Sequence, residues 1–291
     1  MVDEEKFFQY CSDINLAIWE NKTCKDDIEE WINNFNPQKK IDVRKMAIDL
    51  LLGFIYYNEA EIRYLCKHAF SEFKRQKMKE EIKKGLSIKD AEQYFTNSVS
   101  KINFIGKSGD STAYIAYIFR QVNGLIQKNF INSIDEISSD ANTLIIVDDI
   151  VGSGNSVINF HKSLQEARIF EKHPDIKIYY LSLIMTEGGL KKIISIDPDF
   201  KLIYSELLSK NYKAFSENTC ILADYSTMDR EIAKLVCKKI GNFLEGEMYE
   251  LGFLGSELLI GFHHNIPNNT LPLIWSNKHD WIPLFKRWEK N

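Results

Sequence analysis

The chain has 291 residues, 44% of them hydrophobic and 27% charged, with a formal net charge of −4. That length suits one large domain or a domain with an accessory unit, and that apolar share supports a sizeable core. The slight acidity excludes a global electrostatic case for nucleic-acid or anionic-membrane binding.

The N-terminus, "MVDEEKFF", is acidic and lacks the apolar stretch of a signal peptide. Up to about residue 95 the chain predicts helices, because apolar residues recur at helical spacing and glycine and proline are scarce. "IEEWINNF", "RKMAIDLLLGFIYY" and "EIRYLCKHAFSEF" each carry such a stripe, with a break expected over 34–40 at Pro37 and another at Gly85. The most apolar run, "MAIDLLLGFIYY", is too short to span a bilayer and contains Asp49. "KRQKMKEEIKKG" (74–85) is basic but interrupted by acids, which predicts a solvated helix face. Five scattered cysteines, Cys11, Cys24, Cys66, Cys220 and Cys237, form no CxxC and predict free thiols in a reducing compartment. The expectation is a soluble cytoplasmic protein.

The texture changes near Lys101. "KINFIG" predicts a short strand and "TAYIAYIFRQV" a buried helix. "NTLIIVDD" predicts a strand apolar on both faces, as in a covered parallel sheet. "SVINFHKSLQEARIF" places Val157, Phe160, Leu164 and Ala167 on one helical face. "IKIYYLSLIM" and "FKLIYSELL" predict strands separated by the short helix "EGGLKKIISI". "MDREIAKLVCKKIGNFL" predicts a helix and "SELLIGFHH" a closing strand. This alternation predicts an α/β fold with a mostly parallel sheet. The expected division is a helical accessory region over 1–98 and an α/β domain over 99–291 that includes the tail.

In such a sheet, ligands bind beyond the carboxyl ends of the strands. Two strand-to-helix loops qualify, "GKSGDST" (106–112) and "DDIVGSGNS" (148–156). Both are rich in small residues and feed a helix N-terminus, where backbone N–H groups and the helix dipole favour an anion. Asp148 and Asp149 beside a phosphate cradle make sense if the ligand also offers hydroxyls. A carboxylate accepts two hydrogen bonds, suits vicinal ribose hydroxyls, and can hold Mg²⁺ directly or through water. A sugar phosphate is the ligand best matched to this loop. The bland alternative is a helix entry with capping serines and solvated acids.

"LIIVDDIVGSGNS" resembles the phosphoribosyl-pyrophosphate (PRPP) motif of the type I phosphoribosyltransferases: an apolar strand, two acids, an apolar pair and a Ser/Thr-Gly-x-Ser/Thr loop. The resemblance covers roughly residues 100–205. It implies a sheet of that family's kind, with Asp148 and Asp149 on the ribose and as metal ligands. Gly152, Ser153, Gly154, Asn155 and Ser156 would lie on the 5-phosphate. It also implies a pyrophosphate loop at Lys107, Ser108, Gly109, Asp110 and Ser111, with Lys107 and the two acids as the catalytic candidates. The tail "LGFLGSELLIGFHHNIPNNTLPLIWS" with "WIPLFKR" resembles the divergent branch found in bacterial conflict systems, retron and other anti-phage loci among them. That branch implies a defence role and a protein partner from the same system.

Two departures stand out. Enzymes acting on 6-oxopurines often carry an acid as general base two residues before the loop glycine; here that residue is Gly152. Their mobile catalytic loop corresponds to "NSIDEISSDAN" (132–142), which is short and has no Lys or Arg. Both count against nucleobase transfer and leave sugar-phosphate binding untouched. A second reading is therefore a non-catalytic nucleotide sensor or partner-binding module. A P-loop NTPase is a third, with "GKS" as Walker A, but its earlier glycine would fall at position 101, which is Lys101. In "HHNIPNNT", His263, Asn265, Asn268 and Asn269 are candidates for an acceptor pocket, with plain turn formation as the alternative. His263 and His264 would point to opposite faces of a strand, so one shared metal is not expected.

Overall fold

The computed structural model describes residues 4–35, 42–106, 110–198 and 200–287, with the side chains of Glu4, Asp110 and Ser111 outside the description. In chain order the elements are α1 (Glu4–Ala17), α2 (Lys25–Asn33), α3 (Val43–Leu52), β1 (Ile55–Tyr57), α4 (Glu59–Lys83) and α5 (Ile88–Ser98). Then come β2 (Ile102–Gly106), α6 (Asp110–Val122), β3 (Phe130–Ile131), β4 (Thr143–Val151), α7 (Asn155–Glu166) and α8 (Ile169–Lys172). The chain continues with β5 (Lys177–Thr186), α9 (Glu187–Ile196), β6 (Lys201–Leu208), α10 (Thr227–Glu245), β7 (Ile260–Phe262) and α11 (Pro272–Trp275).

These elements form two compact units, residues 60–208 and the pair of segments 1–59 and 209–291. The division differs from the expected cut at 98/99. The helices α4 and α5 belong to the unit with the large sheet, and the tail belongs with the first helices.

In the 60–208 unit, five parallel strands run in the order β3-β2-β4-β5-β6. The mostly parallel α/β architecture expected from the sequence is therefore present. Every residue of β4 is buried, because a central parallel strand is covered on both faces. Leu144, Ile146, Ile178 and Tyr180 join Val157, Leu164 and Ile193, from the helices after β4 and β5, in one apolar cluster. The expected helix over 156–170 divides after Glu166, where Arg168 takes a left-handed φ of 54°.

The run 74–85 departs from its expected solvated face. Lys77 and Glu81 are buried, and burial is the main cause lowering the Lys77 pKa. Next to them, Glu80 accepts from Lys177 Nζ (2.8 Å), Lys201 Nζ (2.9 Å) and Tyr179 Oη (3.0 Å). The helix thereby ties the starts of β5 and β6 together. Burial alone would raise the Glu80 pKa, but these three hydrogen bonds outweigh it and bring it down to about 2. Because the folded pKa is depressed, the stabilisation is present above the ordinary carboxylate pKa and is lost as pH falls towards about 2. Glu80→Gln is expected to lower the melting temperature at pH 7 by roughly 2–4 °C, a modest loss because the lysines remain well hydrated. The difference between variant and wild type should shrink between about pH 4.5 and 2 in a thermal-melt series.

In the other unit, Trp31, Met46, Leu50, Leu259, Leu271 and Ile274 share one buried cluster. The Trp31 indole donates to the Leu273 carbonyl (2.7 Å). The tail strand β7 pairs in parallel with β1 through Ile55–Ile260 and Tyr57–Phe262. The expected closing strand in the tail is present and forms a separate two-stranded sheet with β1. The end of the predicted helix "RKMAIDLLLGFIYY" supplies its partner, since α3 stops at Leu52 and the chain turns at Gly53.

Candidate functional site

Strand β4 carries Asp148 and Asp149 towards its carboxyl end, the edge where open α/β sheets receive ligands. Asp148 is 7% exposed and Asp149 8%, so both carboxylates lie largely outside bulk water. The Asp149 N–H donates to the Asp148 carboxylate (3.0 Å), and the Ile150 N–H donates to the Asp149 carboxylate (2.8 Å). Each acid is thus oriented by the backbone just after it. Asp148 and Ser156 also line a small, mostly apolar cavity with Ile146, Val157, Phe160 and Tyr180. The acid and the helix that follows it therefore face the same space.

Beyond β4 the chain turns through Gly152, Ser153 and Gly154 into α7. Gly154 is the residue before the helix, with a φ of 77°. A side chain there would be strained in the left-handed region, and its Cβ would sit 2.9 Å from the Gly189 carbonyl oxygen. The first N–H groups of a helix have no carbonyl partner within it, and the helix dipole makes that end attractive to an anion. Here the Asn155 N–H reaches the Ser153 hydroxyl (3.4 Å). The loop thus combines backbone donors, two serine hydroxyls and two buried acids within nine residues, 148–156.

The β5–α9 junction forms a second wall that the sequence reading did not identify. The Thr186 hydroxyl accepts from the Gly189 N–H (3.0 Å), capping α9, and donates to the Gly152 carbonyl (2.5 Å). On α9, Lys192 donates to the Asn155 side-chain oxygen, which places a cation beside a loop that has none of its own. The signal for this wall was the cap "TEGG", a threonine followed three residues later by the glycine it caps.

The other candidates fall in different places. Lys107, Ser108 and Gly109 lie outside the described residues, as do the side chains of Asp110 and Ser111. The strand leading to them, β2, ends at Gly106, which pairs with Val147, the residue before the acids. The segment 132–142 is a short turn tied to β2: the Ser138 N–H donates to the Asn103 side chain (2.9 Å) and the Asn142 N–H to the Lys101 carbonyl (3.0 Å).

The tail candidates belong to the other compact unit. His263 pairs with Glu20, and the His264 ring lies 5.6 Å from that of Phe262. Asn265 closes a turn, its side-chain oxygen accepting from the Ile266 N–H (2.9 Å) and its carbonyl from the Phe262 N–H (2.9 Å). The Asn268 carbonyl accepts from the Phe253 N–H (2.7 Å). Asn269 is buried, and its carbonyl accepts from Ser256 Oγ (2.8 Å).

Two carboxylates suit a hard cation. Among the described residues no group of three or more His, Cys, Asp or Glu could hold a metal ion. Magnesium commonly takes one or two carboxylates and completes its shell with water and ligand phosphates. As neighbours on a strand the two face opposite sides, so an ion shared with a bound ligand would take one of Asp148 and Asp149 directly and the other at most through water. No helix among the described residues is long and apolar enough to cross a membrane.

Comparison with known proteins gives a family. The PRTase-CE family profile matches residues 28–287. Among curated proteins no relative matches. Among solved structures, an orotate phosphoribosyltransferase from Aeropyrum pernix matches at 12% identity and a TM-score of 0.27, over 38% of this chain and 61% of that one. The xanthine-guanine-hypoxanthine phosphoribosyltransferase of Helicobacter pylori matches at 18% and 0.29, over 53% and 84%. The AQ2163 protein from Aquifex aeolicus matches at 14% and 0.28, over 38% and 56%. The chain thus spans about three fifths of the orotate enzyme's length. With its profile match over nearly its whole length, the chain belongs to the PRTase-CE family and carries a phosphoribosyltransferase-like domain.

Proposed function

We propose that the 148–156 loop binds PRPP or a related ribosyl phosphate together with Mg²⁺, and that the protein is a glycosyltransferase of the phosphoribosyltransferase type. The observation that carries this reading is the buried acid pair set immediately ahead of a glycine-opened helix start. A phosphate alone would be repelled by the acids; a phosphate on a ribose is matched at both ends. Asp148 and Asp149 accept from the ribose hydroxyls, and Ser153, Gly154, Asn155 and Ser156 surround the 5-phosphate. In the reaction, the bond from C1 to the pyrophosphate oxygen breaks, and an acceptor nitrogen or water forms the new bond to C1. The buried acids would stabilise the cationic sugar electrostatically. Lys107 and its loop would receive the leaving pyrophosphate. Mg²⁺, when bound, neutralises pyrophosphate charge, with Asp148 and Asp149 holding it directly or through water. The anti-phage role and its protein partner rest on the tail resemblance.

PRPP with Mg²⁺ is expected to raise the melting temperature, because a ligand that binds only the folded state stabilises it by mass action. At a hundredfold excess over Kd the gain is about 2.7 kcal/mol. An unchanged melting curve with PRPP, ribose 5-phosphate and nucleoside monophosphates alike would sink the assignment.

A second reading, a non-catalytic sensor with the same site, is favoured by the short tied turn at 132–142 and by Gly152 in place of an acid. Release of pyrophosphate from PRPP distinguishes the two: turnover supports the transferase, and binding without turnover supports the sensor.

A further inference from the structure

We infer that Thr186 is a positioning residue for the phosphate loop, acting by fixing the Gly152–Ser153 peptide so that its N–H faces the ligand. This inference rests on the reading of 152–156 as a phosphate site.

The geometry is specific. The Thr186 hydroxyl has one proton, and it goes to the Gly152 carbonyl at 2.5 Å. The same oxygen accepts from the Gly189 N–H at 3.0 Å, so the hydroxyl is held from both sides and cannot rotate without losing a partner. The Gly152 carbonyl is thereby drawn towards the start of α9. No described peptide is cis, and in a planar trans peptide the carbonyl and the next N–H point in opposite directions. With the Gly152 carbonyl turned to α9, the Ser153 N–H is turned away from α9, the direction from which an anion would be met.

The fit tolerates no extra atom. A Cβ at position 189 would lie 2.4 Å from the Gly152 oxygen, and one at position 154 would lie 2.9 Å from the Gly189 oxygen. Gly189, Gly154 and Thr186 therefore interlock, and the loop's donor face is set by the strand next door. Lys192, bonded to Asn155, adds a second tie from the same helix.

The test uses the full chain and two variants. Thr186→Val keeps the shape and removes the hydroxyl; Thr186→Ser keeps the hydroxyl. Two readouts are taken: the affinity for ribose 5-phosphate, and the Ser153 amide shift and hydrogen exchange in the unliganded protein. The inference expects Thr186→Val to weaken binding roughly five- to tenfold, the worth of one hydrogen bond, and to move the Ser153 amide. Thr186→Ser should restore both. A purely structural capping role would lower the melting temperature and leave the Ser153 amide in place, which would overturn the inference. So would unchanged affinity in Thr186→Val. If the wild type binds no ribosyl phosphate, yet the Ser153 amide responds to Thr186→Val and recovers in Thr186→Ser, the phosphate reading fails while the positioning of the loop stands.

Discussion

Replacing both acids, Asp148→Asn with Asp149→Asn, is expected to reduce PRPP affinity by two to four orders of magnitude without destabilising the unliganded protein. A hydrogen bond to a charged group contributes about 1.5–3 kcal/mol, and two such bonds to ribose hydroxyls give about 3–6 kcal/mol, the range just stated at about 1.4 kcal/mol per decade. The melting temperature moves the other way or not at all. Both acids are less than a tenth exposed, and keeping a carboxylate charged out of water works against the fold. An asparagine oxygen still accepts the Asp149 and Ile150 N–H bonds that orient the acids. Titration calorimetry with PRPP and Mg²⁺, beside a thermal melt, checks both halves. A double variant that binds as tightly as wild type removes the acids from the site. One that melts far below wild type makes them structural groups.

The second large effect separates two neighbouring glycines. Gly189→Ala puts a Cβ 2.4 Å from the Gly152 carbonyl oxygen. Backbone meets it on that side, so the loop must move, at a cost of about 1–3 kcal/mol as for other overpacked sites. Phosphate binding should fall at least tenfold, because the displaced carbonyl is the one that orients the Ser153 N–H. One residue earlier, Gly188→Ala meets only the Thr186 hydroxyl at 3.8 Å. There the alanine simply favours the helix and should stabilise by about 0.5–1 kcal/mol. Opposite signs in the two melting curves are the expected result; a Gly189→Ala protein with wild-type stability and affinity would mean the two loops do not interlock.

Four strands of the main sheet, β2, β4, β5 and β6, were legible as apolar runs, β4 in particular being apolar on both faces up to Asp148, whereas the two-residue β3 was not. Nor were the short pairings. Three residues at Ile55–Tyr57 follow an apolar helix without any break in composition, and nothing in "SELLIGFHH" says whether it adds to the main sheet or finds β1. The run 74–85 was misread for a related reason. Its charges suggest water, but the partners of Glu80 are Lys177 and Lys201, more than ninety residues away. The candidate site divides in the same manner. Acids, glycines and serines of 148–156 are contiguous and visible as a motif. Thr186, Gly189 and Lys192 matter only because β5 lies beside β4, a fact of topology that local sequence does not state.

Phosphate binding by residues 152–156 is the step on which the proposed function turns. Its most direct test is a titration of the isotope-labelled protein with ribose 5-phosphate, following backbone amides by NMR. Saturable shifts are expected at Ser153, Gly154, Asn155 and Ser156, abolished by Asp148→Asn with Asp149→Asn. Saturable shifts elsewhere with this loop silent, or no shifts at millimolar ligand, would contradict it.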